Sequence, residues 1–427
     1  MNPSQKKEEY FDGPIKWLRA VDLNDGFVFE TTRTLSEIGF ESAGKSALLF
    51  KPGTLAISKS GTIGRVGILQ DYMCGNRAVI NIAVNEQICS TRFIFHVLKK
   101  NRHYFENMAT GSVQKNLYTS VLGSLTFELP PLAEQKAIAH ILGTLDDKIE
   151  LNRQMNATLE AMAQALFKSW FVDFDPVIDN ALAAGNPIPE PLQARAEARA
   201  ALGDRRKPLP EVIQQQFPSS FVFNEELGWV PEGWELSTVG DEFDVTMGQS
   251  PPGHTYNEGG VGMPFFQGRA DYGFRYPSNR VYCTEPKRLA SKNDTLVSVR
   301  APVGDVNMAS EDCCIGRGVA AVRHKNKSRS YTYYSMLQLR EHFNTYEAEG
   351  TVFGSINQKD FKALPQLCVP AMLVEMFHSQ SDPIDQKIEV DERQITKLMG
   401  VRDTLLPKLL SGQLRIPDAE KLVADVL

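Results

Sequence analysis

The sequence contains an internal repeat, which constrains the fold more than any other feature. Thr54–Lys59 returns as Thr295–Arg300 at a shift of about 241 residues, and Asp147–Glu150 returns as Gln386–Glu389 at a shift of about 239. Two copies are too few for a solenoid, whose core needs at least three stacked units. The repeat therefore predicts an internal duplication with a pseudo-twofold axis.

Each copy divides into a head and a helical tail. The heads, residues 1–131 and 227–370, carry short apolar runs rich in β-branched residues and punctuated by glycine, with a helical stretch near Thr91–Tyr104. The predicted fold class is α+β, with two globular α+β domains separated by two long antiparallel coiled-coil helices.

The tails, residues 132–174 and 371–415, show apolar residues at alternating steps of four and three, as heptads require. Narrow stripes cannot be buried by a single helix, so we expect the two tails to pack on each other. The order head, helix, head, helix favours an antiparallel pair, although an ordinary helical hairpin would give the same pattern. The predicted seam comprises Leu142, Leu145, Ile149, Asn152, Leu159, Leu166, Ile384, Ile388, Asp391, Ile395, Leu398 and Leu405.

The remaining segments are interpreted as connections. Residues 175–226 are rich in proline and charge, with one helical patch at Leu192–Leu202, and read as a linker. Ser381-Asp382-Pro383 offers a new helix start and could break or kink the second tail. Residues 416–427 form a C-terminal tail.

Composition excludes several classes of protein. The net charge is −6, but basic residues exceed acidic ones by about four between Ile15 and Pro131 and by about six between Met263 and Phe343. Two basic heads suit a chain that contacts phosphates at two places. The six cysteines show no C-x-x-C spacing, so neither a zinc site nor a disulfide framework is expected. Because no apolar run approaches the roughly 18 residues of a membrane span, we expect a cytoplasmic protein without membrane contact.

Four motifs resemble the specificity subunits of type I restriction-modification systems across essentially the whole chain. They are LPPLAEQKAIAHILGTLDDKIELNRQ, ALFKSWFVDFDP, LGWVPEGWELSTVGD and LLPKLLSGQLRI. The resemblance implies a non-catalytic subunit with two target-recognition domains, each reading one half of a bipartite site on double-stranded DNA. It also implies docking of two methyltransferase subunits and of restriction-translocase subunits. S-adenosylmethionine, ATP and Mg would then bind those partners, with no cofactor in this chain.

The sequence departs from this family in its first head. The second head opens with Gly233–Gly240, whereas Met1 aligns with Met247, so the first head lacks the expected opening strand. Either the start is internal to a longer reading frame or this head is reorganised, and its ability to read DNA is an open question.

One segment matches a nucleotide-binding motif. Gly39–Ser46 satisfies G-x-x-x-x-G-K-[ST], but it lacks the buried strand before it and the substantial helix after it that a P-loop needs. Methyltransferase motifs and catalytic constellations are absent from the sequence, so no catalytic or metal-binding residues are predicted.

Candidate DNA contacts are basic, amide and hydroxyl residues beside glycine-rich turns, because glycine permits close approach and arginine can bind guanine through two hydrogen bonds. They are Lys59, Ser60, Thr62, Arg65, Arg77 and Lys115 in the first head, and Gln267, Arg269, Arg275, Arg300, Arg317 and Lys359 in the second. An aromatic cluster at the end of the first tail could dock a methyltransferase or pack in a core against Leu405 and Leu409. Its members are Phe167, Trp170, Phe171 and Phe174.

Two other functional classes are compatible with parts of the sequence. A coiled-coil scaffold without a DNA role would show no salt-dependent DNA binding. A P-loop enzyme would bind nucleotide through Lys45.

Overall fold

The computed structural model describes residues 2–110, 115–127, 129–205, 208–343 and 354–427. The fold is α+β, with two sheet-rich regions and two long helices. The chain forms two compact units. Unit 1 comprises residues 1–154 and 393–427, and unit 2 comprises residues 155–392. Within the described residues, every helix is too short or too polar to traverse a bilayer.

Unit 1 contains two four-stranded sheets. In spatial order, the strands of one are Gly26–Val28, Val66–Leu69, Leu55–Ser58 and Val79–Ile82, and those of the other are Thr34–Leu35, Phe11–Leu18, Met73–Gly75 and Leu49–Phe50. The central strands Leu55–Ser58 and Val66–Leu69 are completely buried and pack against Phe95 and Phe105 of the neighbouring helices. This packing forms the core of the first head.

The shorter helices of unit 1 surround these sheets. The α-helices are Glu37–Glu41, Thr91–Lys100, Arg102–Met108, Thr119–Gly123 and Ile416–Ala424, and the 3-10 helices are Glu8–Tyr10, Ala20–Asp22 and Gly44–Ser46. The C-terminal helix Ile416–Ala424 buries Ala419 and Val423 in the same apolar cluster as Leu142.

Unit 2 has a four-stranded and a five-stranded sheet. In spatial order, the strands of the four-stranded sheet are Phe243–Met247, Val319–His324, Thr295–Ser298 and Val306–Met308. Those of the five-stranded sheet are Tyr256–Asn257, Tyr282–Cys283, Met263–Phe266, Cys313–Ile315 and Leu289–Ala290. Two further antiparallel pairs join Glu235–Thr238 to Pro365–Cys368 and Phe221–Asn224 to Gly228–Pro231.

The helices of unit 2 include three in the segment that sequence analysis treated as a linker. Those three are Asp175–Ala184, Glu190–Leu202 and Glu211–Gln214. Unit 2 also has the α-helices Val239–Glu242, Arg329–Gln338 and Gln358–Ala363, and the 3-10 turns Gly203–Arg205, Gly253–Thr255 and Arg269–Asp271. Bidentate bonds from Arg199 to Asp179, of 2.6 and 2.7 Å, tie Glu190–Leu202 to Asp175–Ala184. The segment is therefore ordered structure built on unit 2.

The same strand pairing occurs in both units. Leu55 pairs with Ile68 and Ile82, whereas Thr295 pairs with Met308 and Val322, all antiparallel. These registers correspond at a shift of 240 residues (295 − 55). The alignment of Thr54 with Thr295 was thus wrong by one residue, because matching residue types concealed the true register.

The two units differ at one sheet edge. Phe243–Met247 pairs with Val319–His324 in unit 2. The equivalent strand in unit 1, Val79–Ile82, has a neighbour on one side only among the described residues. The sheet edge that Phe243–Met247 covers in unit 2 is therefore uncovered in the described part of unit 1.

The long helices are Leu132–Phe171 and Ala371–Leu410, and each contributes to both units. In unit 1 Asn152 donates to Gln394 at 2.8 Å, and in unit 2 Asn156 donates to Glu392 at 2.8 Å. The helices also meet at Asp146 and Arg402 in unit 1, and at Phe167 and Phe377 in unit 2. Within each unit residue numbers rise on one helix as they fall on the other, so the helices are antiparallel there. The break expected at Ser381–Pro383 does not occur, because the helix continues through Pro383 with Ser381 Oγ bonded to the Phe377 carbonyl at 2.8 Å.

Candidate nucleic-acid interface

Each unit presents an exposed arginine at the same turn of its sheet. The Arg77 amide donates to Asn2 Oδ1 at 3.1 Å, and the Arg317 amide donates to Ser250 Oγ at 3.3 Å. Both side chains are exposed. In unit 1 the Val79 amide donates to the Asn76 carbonyl at 3.3 Å, and in unit 2 the Val319 amide donates to the Gly316 carbonyl at 3.0 Å. Arg77 and Arg317 are therefore equivalent, and the backbone of each is held while its guanidinium is in solvent.

Backbone hydrogen bonds bring other loops to these turns. In unit 1 Lys59 N donates to Ala78 O and Leu117 N donates to Lys59 O, each at 2.8 Å. In unit 2 Val299 N donates to Gly318 O at 2.9 Å and Ile356 N donates to Val299 O at 3.1 Å. We call residues 58–65, 76–78 and 115–117 turn cluster 1. Residues 267–269, 298–305, 316–318 and 354–356 are turn cluster 2.

Turn cluster 1 borders an open groove of about 550 Å³. The groove brings Thr62, Arg65 and Lys115 together with Arg102, which sequence analysis missed. Arg102 Nε donates to the Gly64 carbonyl at 3.3 Å, and its Nη2 binds Asp25. Its only signal was a basic residue at the start of a helix, which is common on any protein surface. Lys59 and Ser60 are half-buried beside the groove.

Turn cluster 2 depends on a close approach of two backbones. A Cβ on Gly318 would lie 2.2 Å from the carbonyl oxygen of Gln267, so a larger residue cannot occupy this position. The side chains of Gln267, Arg300 and Arg317 are exposed around this contact. Arg269 is exposed as well, but it forms an ion pair with Asp305 at 2.5 Å. Lys359 lies outside the cluster, on the exposed face of helix Gln358–Ala363.

Arg275 does not belong to the surface, and its assignment as a DNA contact was wrong. Its side chain is 0% exposed, and its guanidinium binds Glu160 and, at 3.0 Å, Asp385. The same group lies 3.9 Å from the ring centre of Tyr333. A guanidinium paired with two carboxylates in the interior is unavailable to DNA.

The aromatic cluster proposed for partner docking is also internal. Phe167, Trp170, Phe171 and Phe174 are at most 9% exposed and belong to the core of unit 2. The rings of Phe167 and Trp170 lie 5.6 and 6.0 Å from that of Phe377. The prediction that these aromatics pack against Leu405 and Leu409 was wrong too, because the antiparallel register places Phe377 opposite them. Leu405 and Leu409 pack in unit 1 with Leu142 and Leu145.

The other seam residues face inward along the helices. Leu142, Leu145, Ile149, Asn152, Ile388, Asp391, Ile395, Leu398 and Leu405 are buried, and Leu159, Leu166 and Ile384 are half-buried. The polar members have partners: Asn152 binds Gln394, and Asp391 binds Lys387.

Metal and nucleotide sites were the other two possibilities that the sequence raised. No His, Cys, Asp and Glu side chains among those residues form a group that could hold a metal. The P-loop-like segment forms only the five-residue helix Glu37–Glu41 and a 3-10 turn, with Lys45 exposed.

Comparison with known proteins identifies similar sequences. The model of the type I restriction modification DNA specificity domain matches residues 2–161 and 231–371. The putative type I restriction enzyme MjaX specificity subunit of Methanocaldococcus jannaschii is 28% identical over 367 residues, covering 83% of this chain and 76% of that protein. The HindI specificity subunit of Haemophilus influenzae is 27% identical over 386 residues, covering 81% and 82%. A solved type I S subunit from M. genitalium covers 96% of this chain and 92% of its own, at 16% identity and a TM-score of 0.47.

Proposed function

The chain belongs to the type I restriction-modification DNA specificity family, and on this premise we propose that it recognises a bipartite DNA site, with one half read by each turn cluster. The observation that carries the proposal is the equivalence of Arg77 and Arg317, two exposed arginines on matching rigid turns. A held backbone with a free guanidinium suits both phosphate contact and bidentate guanine recognition.

The proposed DNA contacts follow from the two turn clusters. In the first they are Lys59, Ser60, Thr62, Arg65, Arg77 and Lys115, joined by Arg102. In the second they are Gln267, Arg269, Arg300 and Arg317, with Lys359 as an outlying phosphate contact. The clusters differ in chemistry, because Arg65 in the first corresponds to Asp305 in the second. Different side chains on one backbone plan are what two different half-sites require.

We propose that the long helices form an antiparallel coiled coil that spaces the two heads of an internally duplicated chain. A 40-residue helix measures about 60 Å, more than the roughly 34 Å of one DNA turn. Buried polar seam residues such as Asn152 weaken a coil while fixing its register and orientation. A fixed register would make the spacing reproducible from molecule to molecule.

Catalysis is assigned to partners. We propose that this subunit docks two methyltransferase subunits and the restriction-translocase subunits, which bind S-adenosylmethionine, ATP and Mg. The docking surfaces must lie outside the buried aromatic cluster of Phe167 and Trp170.

An exchange of heads tests the proposal. Residues 234–365 are replaced by those of a relative, and the methylated sequence is read from host DNA with the full complex expressed. We expect one half of the bipartite motif to change and the other to remain. The reciprocal exchange of residues 1–131 is the control and should change only the other half.

Two outcomes would contradict it. A change in both halves after one exchange would reject modular reading. A wild-type complex that leaves no methylated motif, with purified chain showing no salt-dependent DNA binding, would favour a scaffold role.

A further inference from the structure

Unit 1 contains a half-buried carboxylate, with 13% of its side chain exposed, that joins three elements. Asp146, on the first long helix, accepts a hydrogen bond from Arg402 Nη1 of the second long helix at 2.7 Å. Its other oxygen lies 3.3 Å from Nε2 of His96, on the head helix Thr91–Lys100. His96 and Arg402 are only 1% and 3% exposed. One carboxylate thus contacts the head and the other long helix together.

Unit 2 contains the equivalent arrangement. Asp385 on the second long helix is 0% exposed and accepts from Ser330 of the head helix Arg329–Gln338 at 2.5 Å. It also accepts from Arg275 of the second head at 3.0 Å, and the same guanidinium binds Glu160 of the first long helix. Head and both helices therefore meet at one buried ionic cluster here as well.

The two carboxylates correspond in the repeat. Asp385 follows Asp146 by 239 residues, the shift that relates Gln386–Glu389 to Asp147–Glu150. The surrounding residues differ, since the arginine comes from a long helix in unit 1 and from a head in unit 2. What both copies retain is an aspartate, half-buried in unit 1 and buried in unit 2, that is contacted by the head helix and by one arginine. Buried ion pairs contribute little net stability compared with apolar packing but impose strict geometry.

We propose that Asp146 and Asp385 are positioning residues that fix the orientation of each head on the paired helices, and so fix the gap between the two DNA half-sites. The inference rests on the proposed function, because the gap has meaning only if both heads read DNA. Neither aspartate contacts DNA in this scheme. Their loss should alter the gap and leave the half-sites unchanged.

The test compares neighbouring aspartates in the complete complex. Asp146→Asn is examined beside Asp147→Asn, whose carboxylate is 52% exposed and pairs with Arg92 at 3.0 Å. Methylated motifs are read from host DNA. We expect Asp147→Asn to show the wild-type gap alone. Asp146→Asn should methylate sites with gaps one base pair longer or shorter at least about tenfold more often, since Arg402 loses the negative charge that it pairs with.

Every outcome decides the inference. Unchanged gap selectivity in a folded Asp146→Asn complex overturns it, and so does an equal loss of methylation at all sites, which indicates a merely structural role. If that variant does not accumulate, Arg402→Lys replaces it, because lysine keeps the charge and loses the forked geometry; an unchanged gap there overturns the inference equally. Absence of any motif with wild-type protein rejects the proposed function instead.

Discussion

The hydroxyls of Ser58 and Ser298 make the same two hydrogen bonds in two separate sheets. Ser58 Oγ donates to Thr62 O and accepts from Arg65 N at 2.9 Å. Ser298 Oγ donates to Pro302 O at 2.8 Å and accepts from Asp305 N at 2.9 Å. Both serines are fully buried. Each therefore anchors the turn that carries the proposed DNA contacts. The residue whose amide each serine accepts differs between the units, Arg65 in one and Asp305 in the other.

Removing either equivalent arginine should weaken DNA binding. For Arg77→Ala and Arg317→Ala we expect a loss of about 1–3 kcal/mol with the matching half-site if the side chain contacts a base. If the side chain contacts a phosphate, its loss should instead reduce by about one the slope of the logarithm of the DNA-binding constant against the logarithm of salt concentration. Titration at several salt concentrations distinguishes these results. Lys397→Ala, exposed on the second long helix, is the control, and equal losses from all three variants would argue against a local contact.

Truncating Arg275 should destabilise unit 2. Arg275→Met leaves Asp385 and Glu160 without their shared cation in a buried site, at an expected cost of about 3–5 kcal/mol. Denaturant unfolding followed by circular dichroism measures the change. Arg340→Met, at a side chain 67% exposed and 3.8 Å from Asp305, should cost about 1 kcal/mol or less. Equal effects of the two variants would show that the buried cluster has no special role.

The stability of unit 1 should depend on pH through His96. Burial lowers the pKa of His96 from 6.5 to about 4, against the opposing effect of Asp146. Between these values the unfolded chain binds a proton that the folded chain excludes, so stability falls as the pH is lowered from 6.5 to 4, by about 3 kcal/mol.

Urea unfolding at several pH values tests this dependence. His96→Gln should flatten the fall, because the variant has no imidazole to protonate. His103, 92% exposed on a neighbouring helix, supplies the control variant His103→Gln. The same pH dependence in His96→Gln and wild type would contradict the assignment.

Lengthening both long helices should change only the gap between half-sites. One heptad inserted into each helix keeps the buried stripe continuous, so we expect a longer gap with both half-sites intact. Methylated motifs in host DNA provide the measurement. Inserting four residues into each helix rotates the stripe out of register and should abolish activity. An unchanged gap after the heptad insertion would refute the spacer role.

The helix seam could be predicted because its signal is local and periodic. A step of three or four residues identifies the inward face of any helix, and Leu142, Leu145 and Ile149 are at most 2% exposed. The order of elements also indicated antiparallel pairing. The exact register was beyond periodicity, since every heptad offers the same stripe, and the partner of Phe167 was therefore misplaced.

Arg275 shows what a single sequence conceals. Its residue type and neighbouring glycine favour the surface, whereas its carboxylate partners lie 115 and 110 residues away. Only tertiary structure brings those charges together. Arg77 and Arg317 are exposed, as residues of glycine-rich turns usually are, and their role as DNA contacts stays a prediction. Their equivalence appeared only when strand pairing set the shift at 240 residues.

The division of the chain also has a consequence for its synthesis. Unit 2 is one continuous stretch, whereas unit 1 is completed by residues 393–427, including the helix Ile416–Ala424 that packs beside Leu142. On the ribosome, all of unit 2 therefore emerges before the residues that complete the apolar cluster around Leu142. Phe93 and Val97 of the first head belong to that cluster, so their burial is complete only after the last part of unit 1 has been made.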